Sequence, residues 1–233
     1  MIRKKLTKEF GINKKIGLGK KSLIFLAIIS LVVLIFLGVT IMALEKLEYS
    51  IIEKDGKFEV RQYNAYIVAE TFIAGDFKKA SNAGFRRLAG YIFGKNRKKS
   101  KIAMTAPVTM EDISEKIAMT SPVTMAKKDS KWRVTFMMPA KYTMDTLPAP
   151  MDPKVTLRME PEVLIASLRY SGTWSEKRYT LKKERLMELI ALKGYESMGD
   201  ALLARYDPPF MPAFMRRNEV QVPVRKRGNQ ASQ

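Results

Sequence analysis

Residues 23–44 form an unbroken run without a charged side chain, built of Leu, Ile, Val, Phe and Ala with few polar breaks beyond Ser30 and Thr40. As an α-helix the run extends roughly 33 Å, enough to cross a hydrocarbon core of about 30 Å. A helix buried in a globular core would carry a polar stripe, which this run lacks. The stretch therefore divides the chain into a basic tail over 1–21, a transmembrane helix over 22–44, and a folded domain beyond it. A cleaved signal peptide has a shorter apolar region that ends in small residues. Here Ile41 stands where a small residue would be needed for a cut after Ala43, so the run reads as an uncleaved anchor.

Charge sets the orientation. The segment before the run carries Arg3, Lys4, Lys5, Lys8, Lys14, Lys15, Lys20 and Lys21 against a single acid, Glu9. The positive-inside bias places the N-terminus in the cytoplasm and the domain on the other side of the membrane. The lipid bilayer is thus the first expected partner. The formal charge of +19 suits anionic headgroups. Its cations are spread along the chain without an aromatic stacking platform, so no nucleic acid is expected as a partner.

The chain has no Cys and no His. Disulfides, thiolate metal sites and Cys nucleophiles are excluded, together with the commonest metal ligand and the usual general base at neutral pH. The adjacent acids Glu111 and Asp112 have no catalytic neighbour in sequence, Ser and Thr nucleophiles lack a His, and no phosphate-binding glycine loop occurs. The expectation is a binding protein, not an enzyme, with no metal ligand singled out.

The domain, expected over 49–224, opens with strand-like segments at 49–53, 58–62 and 66–72, the first two separated by the turn signal Asp55-Gly56. A helix fits 76–93, with Asp76 as N-cap and Phe77, Phe85, Leu88 and Ile92 at helical spacing. Then Ile102-Ala103-Met104-Thr105-Ala106-Pro107-Val108-Thr109-Met110 recurs at 117–125 with one difference, Ser121 for Ala106. Proline inside each copy predicts an edge strand or a bulge. A strand follows at 132–138 and a proline-rich connection at 147–153.

The second half repeats the plan. Segments 155–159 and 163–170 are expected as paired strands, 175–193 as a helix, and 201–206 and 219–224 as strands. The halves align without a gap: Val60-Arg61 with Leu157-Arg158, Ile67-Val68-Ala69 with Leu164-Ile165-Ala166, Gly75 with Gly172. Duplication predicts an α+β fold in which strand-strand-helix-strands units share a distorted antiparallel β-barrel with two packed helices, preceded by one transmembrane helix. The basic tail 225–233 is expected to be disordered. Met104, Met110, Met119, Met125, Met137, Met138, Met144 and Met151 concentrate in the middle third, as core filler or as the lining of a pocket for a flat apolar ligand.

Several segments resemble the SOUL haem-binding protein family. Lys101 to Val108, K-I-A-M-T-A-P-V, is similar to its signature strand, as is the second copy. Phe136-Met137-Met138-Pro139 with Tyr142 and Pro148-Ala149-Pro150 resembles the next strand and its exit. Tyr170-Ser171-Gly172, Tyr206-Asp207-Pro208-Pro209-Phe210 and Arg216-Arg217-Asn218-Glu219-Val220 complete the order. The resemblance implies a duplicated antiparallel barrel with two helices, and haem or a related tetrapyrrole as ligand. It implies that the first helix lines the ligand surface, with Phe85, Leu88, Ala89 and Ile92 as apolar contacts and Arg86 and Arg87 as partners for propionates. Phe85, Leu88 and Ile92 serve equally well as core, and the sequence does not say which face meets the sheet. Iron ligation through His, as in some members, is impossible here, so the implied mode is hydrophobic. Met, Tyr and Lys are also able to ligate iron, and nothing singles one out. The alternative function is an effector- or peptide-binding module that uses the same barrel groove.

Overall fold

The computed structural model describes residues 22, 24–30, 44–98 and 114–228. The chain divides into two compact units, Met1–Ala43 and Leu44–Gln233. In the first, residues 24–30 are helical. The basic tail and most of the expected membrane span lie outside the described residues. Among the described residues no helix is long and apolar enough to cross a membrane.

The second unit runs β1 (Glu45–Lys46), β2 (Tyr49–Asp55), β3 (Phe58–Tyr63), β4 (Tyr66–Ala74), α1 (Phe77–Ile92), β5 (Asn96–Arg97), β6 (Thr120–Ser121), β7 (Val123–Lys128), β8 (Lys131–Met137) and β9 (Ala149–Pro150). It continues with β10 (Thr156–Glu160), β11 (Val163–Tyr170), α2 (Glu176–Leu192), β12 (Tyr195–Ser197), β13 (Leu202–Arg205) and β14 (Asn218–Lys226). The main sheet is antiparallel, in the order β10-β4-β8-β7-β13-β14-β11-β3-β2, with β12 added beside β14.

That order is a palindrome of the duplication. With β10 matched to β3, β11 to β4, β13 to β7 and β14 to β8, the sheet reads the same outward in both directions from its β7–β13 centre, apart from the extra β2 at one end. The first strand of each repeat has crossed to the other: β10 pairs with β4, and β3 pairs with β11. The expected pairing of 155–159 with 163–170 is therefore corrected. The links Asn64-Ala65 and Pro161-Glu162 contain no glycine, and a two-residue hairpin needs a residue at positive φ. The true hairpins have one, Gly56 at φ 57° between β2 and β3 and Asp129 at φ 54° between β7 and β8.

The expected distorted barrel is an open half-barrel. Its end strands β2 and β10 are not paired with each other. β2 carries a bulge between Ile51 and Glu53, and β10 presents Arg158 and Glu160, devices that blunt a sheet edge. The second IAMT copy supplies the sheet strand, and the first lies outside the described residues. β7 is central, between β8 and β13. This corrects the edge-strand expectation: Pro122 falls between β6 and β7, so its missing N–H removes no ladder bond. β14 also runs past the expected boundary to Lys226, because β12 pairs with that extension; residues 229–233 lie outside the described residues.

Both helices cover one face of the sheet. Asp76 caps α1 by accepting the Lys79 N–H at 2.9 Å, and Ser175 caps α2 by accepting that of Arg178 at 3.3 Å. Phe77 packs edge-on against Trp132 with ring centroids 5.3 Å apart. Gly84 lets α1 press onto β8; a Cβ there would lie 2.5 Å from Val134 Cγ2. Leu88, Ile92, Tyr179, Leu186 and Ile190 join Val60, Val220 and Val222 in the core.

The opposite face is polar and holds two ion clusters. In one, Arg133 donates to Glu70 and Glu160, each at 2.5 Å, and Arg158 donates to Glu160 at 2.6 Å. In the other, the buried Glu219 accepts from Arg61 at 2.6 and 3.0 Å, Arg217 at 2.7 and 2.9 Å, Ser167 and Gln221 at 2.8 Å, and Tyr206 at 3.0 Å. Arg61 and Arg158 hold equivalent places in the repeat. So do Arg133 and Glu219, where the charge is inverted. Side chains from both halves converge here, including Tyr63, Tyr66, Arg133, Tyr206 and Gln221, and leave a cavity of only about 30 Å³, room for little more than water.

Candidate functional site

A groove of about 430 Å³ lies on the helix-covered side, within the range of small-molecule sites. One wall is the outer side of α1, with Ser81, Asn82, Phe85 and Arg86. The second copy of the repeat provides Met119, Thr120, Ser121 and Val123. The opposite wall is Trp174, ahead of α2, and the loop after β13, Asp207-Pro208-Pro209. Arg205 and Tyr206 lie at the end of β13, and Leu44 completes the lining.

The loop is held in place by polar contacts. Arg216 donates to the Pro209 carbonyl at 2.6 Å and the Met211 carbonyl at 2.7 Å, and the Asp207 carboxylate accepts the Arg217 N–H. Trp174 Nε1 donates to Asn218 Oδ1 at 2.8 Å. Its ring lies under two guanidiniums, Arg216 at 4.5 Å and Arg205 at 4.9 Å. The large π-face at the groove is thus fixed by a hydrogen bond at its edge and by cations on the ring.

Arg205 is the unusual group. It donates to Ser81 Oγ at 2.6 Å and approaches Met125 Sδ at 3.6 Å. Its Nε is buried and makes no hydrogen bond. Burial pushes its guanidinium down to about 10, opposed by Tyr170, and among the described residues no carboxylate pairs with it. Ser121 Oγ, also in the groove lining, is likewise buried without a partner. Among the described residues these are the two orphaned buried side-chain polar atoms, and both belong to this groove. Buried polar groups are ordinarily satisfied, and the exceptions concentrate where a ligand completes them.

The six residues expected from sequence divide by position. Phe85 lines the groove, 37% exposed, with its ring edge-on to Phe136 at 5.3 Å. Arg86 lines it as well. Arg87 is engaged elsewhere, with Nε 3.1 Å from Asp152 and Nη1 donating to Thr71 at 3.0 Å. Leu88 and Ile92 are buried in the core, and Ala89 packs against it half-buried. Of the methionines, Met119 reaches the groove, Met125 and Met138 are core, Met137 faces the polar cavity, and Met151 is exposed. Met104 and Met110 lie outside the described residues.

Trp174, Arg205, Ser81 and Ser121 were missed. The only sequence signal for them is that Tyr206-Asp207-Pro208-Pro209-Phe210 and Tyr170-Ser171-Gly172 flank Arg205 and Trp174. No cluster of carboxylates fit to hold a metal ion occurs among the described residues.

Residues 44–223 match the family model for the SOUL heme-binding protein. The chain is 28% identical over 170 residues to Heme-binding protein 1 of Xenopus laevis, covering 72% of this chain and 84% of that protein. It is 28% identical over 138 residues to Heme-binding protein 2 of Homo sapiens, covering 59% of this chain and 62% of the relative. Among solved structures, the C-terminal domain of EcmrR shares the fold, with a TM-score of 0.52 at 12% identity over 76% of this chain and 98% of that one.

Proposed function

The chain belongs to the SOUL heme-binding protein family, and on that premise we propose that its helix-side groove binds haem or a related tetrapyrrole without an iron ligand from His or Cys. It is a binding protein rather than an enzyme, as its family is. The observation that carries the reading is the pair of orphaned polar atoms, Arg205 Nε and Ser121 Oγ, in a mostly apolar groove. A flat apolar ring suits Phe85, Met119, Val123, Trp174, Pro208 and Pro209, and a ring carboxylate gives Arg205 the anion that no described residue supplies. Arg86, on the groove's outer wall, suits a second carboxylate. The residues present therefore fit the group.

The uncharged run is read as the membrane anchor, with the N-terminus cytoplasmic and the groove-bearing domain outside. The protein then holds its ligand at the outer face of the membrane.

The test is titration of the full-length protein with haem and with metal-free protoporphyrin. Affinity drawn from apolar burial and carboxylate pairing depends little on iron, so the two should agree within about tenfold, roughly 1.4 kcal/mol. A haem affinity a thousandfold higher would contradict the hydrophobic mode. Binding of neither ring above a generic apolar surface would overturn the tetrapyrrole reading.

A further inference from the structure

The loop beyond Pro208-Pro209 brings three exposed large apolar side chains together within six residues. Phe210 is 63%, Phe214 78% and Met215 60% exposed. The loop is nonetheless well tied: Ala213–Met215 is a 3₁₀ turn, the Gly172 N–H donates to the Ala213 carbonyl at 2.8 Å, and Arg216 holds the Pro209 and Met211 carbonyls. A fixed backbone thus presents two phenyl rings and a thioether to the outside. Such surface on a tied loop marks an interaction site.

We propose that this loop docks onto an anionic bilayer surface, so that the groove opens at the membrane and exchanges its ligand with the lipid. The inference rests on reading residues 23–44 as the anchor. Leu44 ends that run, and it lines the groove together with Pro208 and Pro209 of the same loop. A span that ends there brings the groove to the headgroup region through the covalent chain. Cations flank the apolar tip: Phe214 and Met215 share a surface hollow with Lys57, Arg169 and Arg216, and Arg86 lies across the groove. Apolar and aromatic side chains bordered by Lys and Arg suit the interface of an anionic membrane. A second copy is a worse occupant, since two chains of formal charge +19 repel. A tetrapyrrole that partitions into lipid would enter such a groove without crossing water.

The chain has no cysteine, so single substitutions label cleanly. Full-length F214C and F210C, each bearing an environment-sensitive fluorophore, are reconstituted in phosphatidylcholine vesicles with and without phosphatidylglycerol. S130C, in the β7–β8 turn, is the control. Both loop probes should shift to the blue and be quenched by lipids brominated high on the acyl chain, more with phosphatidylglycerol and less at high salt, while the control stays aqueous. Loop probes as aqueous as the control, in protein that withstands carbonate washing, would overturn the docking and leave the anchor standing. Protein washed from the vesicles would overturn the anchor reading and the docking with it. Equal quenching in neutral vesicles would overturn the anionic surface. Disulfide cross-linking between two unlabelled F214C copies, with no quenching of the labelled protein, would assign the loop to a second copy.

Discussion

Arg205 is half-buried, with its Nε covered and a serine hydroxyl as its hydrogen-bond partner, whereas Arg61 and Arg217 share Glu219, and the contrast sets different expectations for each. Removing Arg205 removes a partly buried charge that has no carboxylate partner among the described residues, so R205M should leave Tm unchanged or raise it. The same variant should weaken haem and protoporphyrin alike by about 10- to 100-fold, the worth of a buried hydrogen bond to a charged group at roughly 1.5–3 kcal/mol. R86A, at an exposed position, should cost at most about 1 kcal/mol of binding, and less at high salt. R87A should not change binding, because Arg87 is occupied by Asp152 and Thr71; fluorescence titration separates the three. Glu219 belongs to folding. Burial would raise its carboxyl, but hydrogen bonds and charge from Arg61 and Arg217 win and hold it down to about 2. A depressed carboxylate stabilises the fold above its unfolded value of about 4.3, and the contribution is lost as pH falls from there through 2. The wild-type Tm should therefore drop across that window. E219Q should lack this component and should start about 3–5 kcal/mol lower at neutral pH, because two guanidiniums lose their shared counterion.

At the level of elements, α1 shows how far a periodic pattern reaches. Its limits were legible because Asp76 and Gly94 carry the chemistry of a start and a stop. Phe85 shares a helical stripe with Ile92, yet Ile92 is core and Phe85 is not. A stripe states which side chains share a side of a helix; what lies opposite decides whether they are covered. Opposite Phe85 the core gives way to the groove, with Phe136 as its nearest aromatic partner. Truncation should separate the two environments. L88A should lower stability by about 2–5 kcal/mol, the cost of a cavity in a packed core. F85A should cost about 1 kcal/mol, the scale of an aromatic pair, and its main effect should be weaker tetrapyrrole binding. Denaturant unfolding and ligand titration on the same two proteins check this. Equal destabilisation by both would place Phe85 in the core after all. The misjudged elements failed for local reasons. β7 contains Pro122 in its repeat but begins after it, and β12, only Tyr195–Ser197, is too short to give an alternating pattern.

Over the whole molecule, the duplication was legible and its strand exchange was not. Residues aligned along the chain report that two halves share a plan. Which half a strand joins depends on contacts between residues about a hundred positions apart, such as Arg61 beside Ile165, and on turns that lack a residue for positive φ. The groove was hidden for the same reason, since α1, the second repeat copy, Trp174 and the Pro208-Pro209 loop meet only after both halves assemble. Residues 23–44 make a whole-chain demand of another kind. Twenty-two residues without a charge cannot be left in water cheaply, and on the proposed anchor reading the eight cations before them would hold the basic end in the cytoplasm. The folded domain is basic too, but long segments translocate largely regardless of their charge, so the tail decides. A reporter active only outside the cytoplasm, fused to the C-terminus of the full chain, should therefore be active. Replacing Lys14, Lys15, Lys20 and Lys21 with Glu should reduce that activity, while the protein still sediments with membranes after a carbonate wash. If a reporter active only inside works at that terminus instead, the domain lies in the cytoplasm, and the ligand is held at the inner face of the membrane.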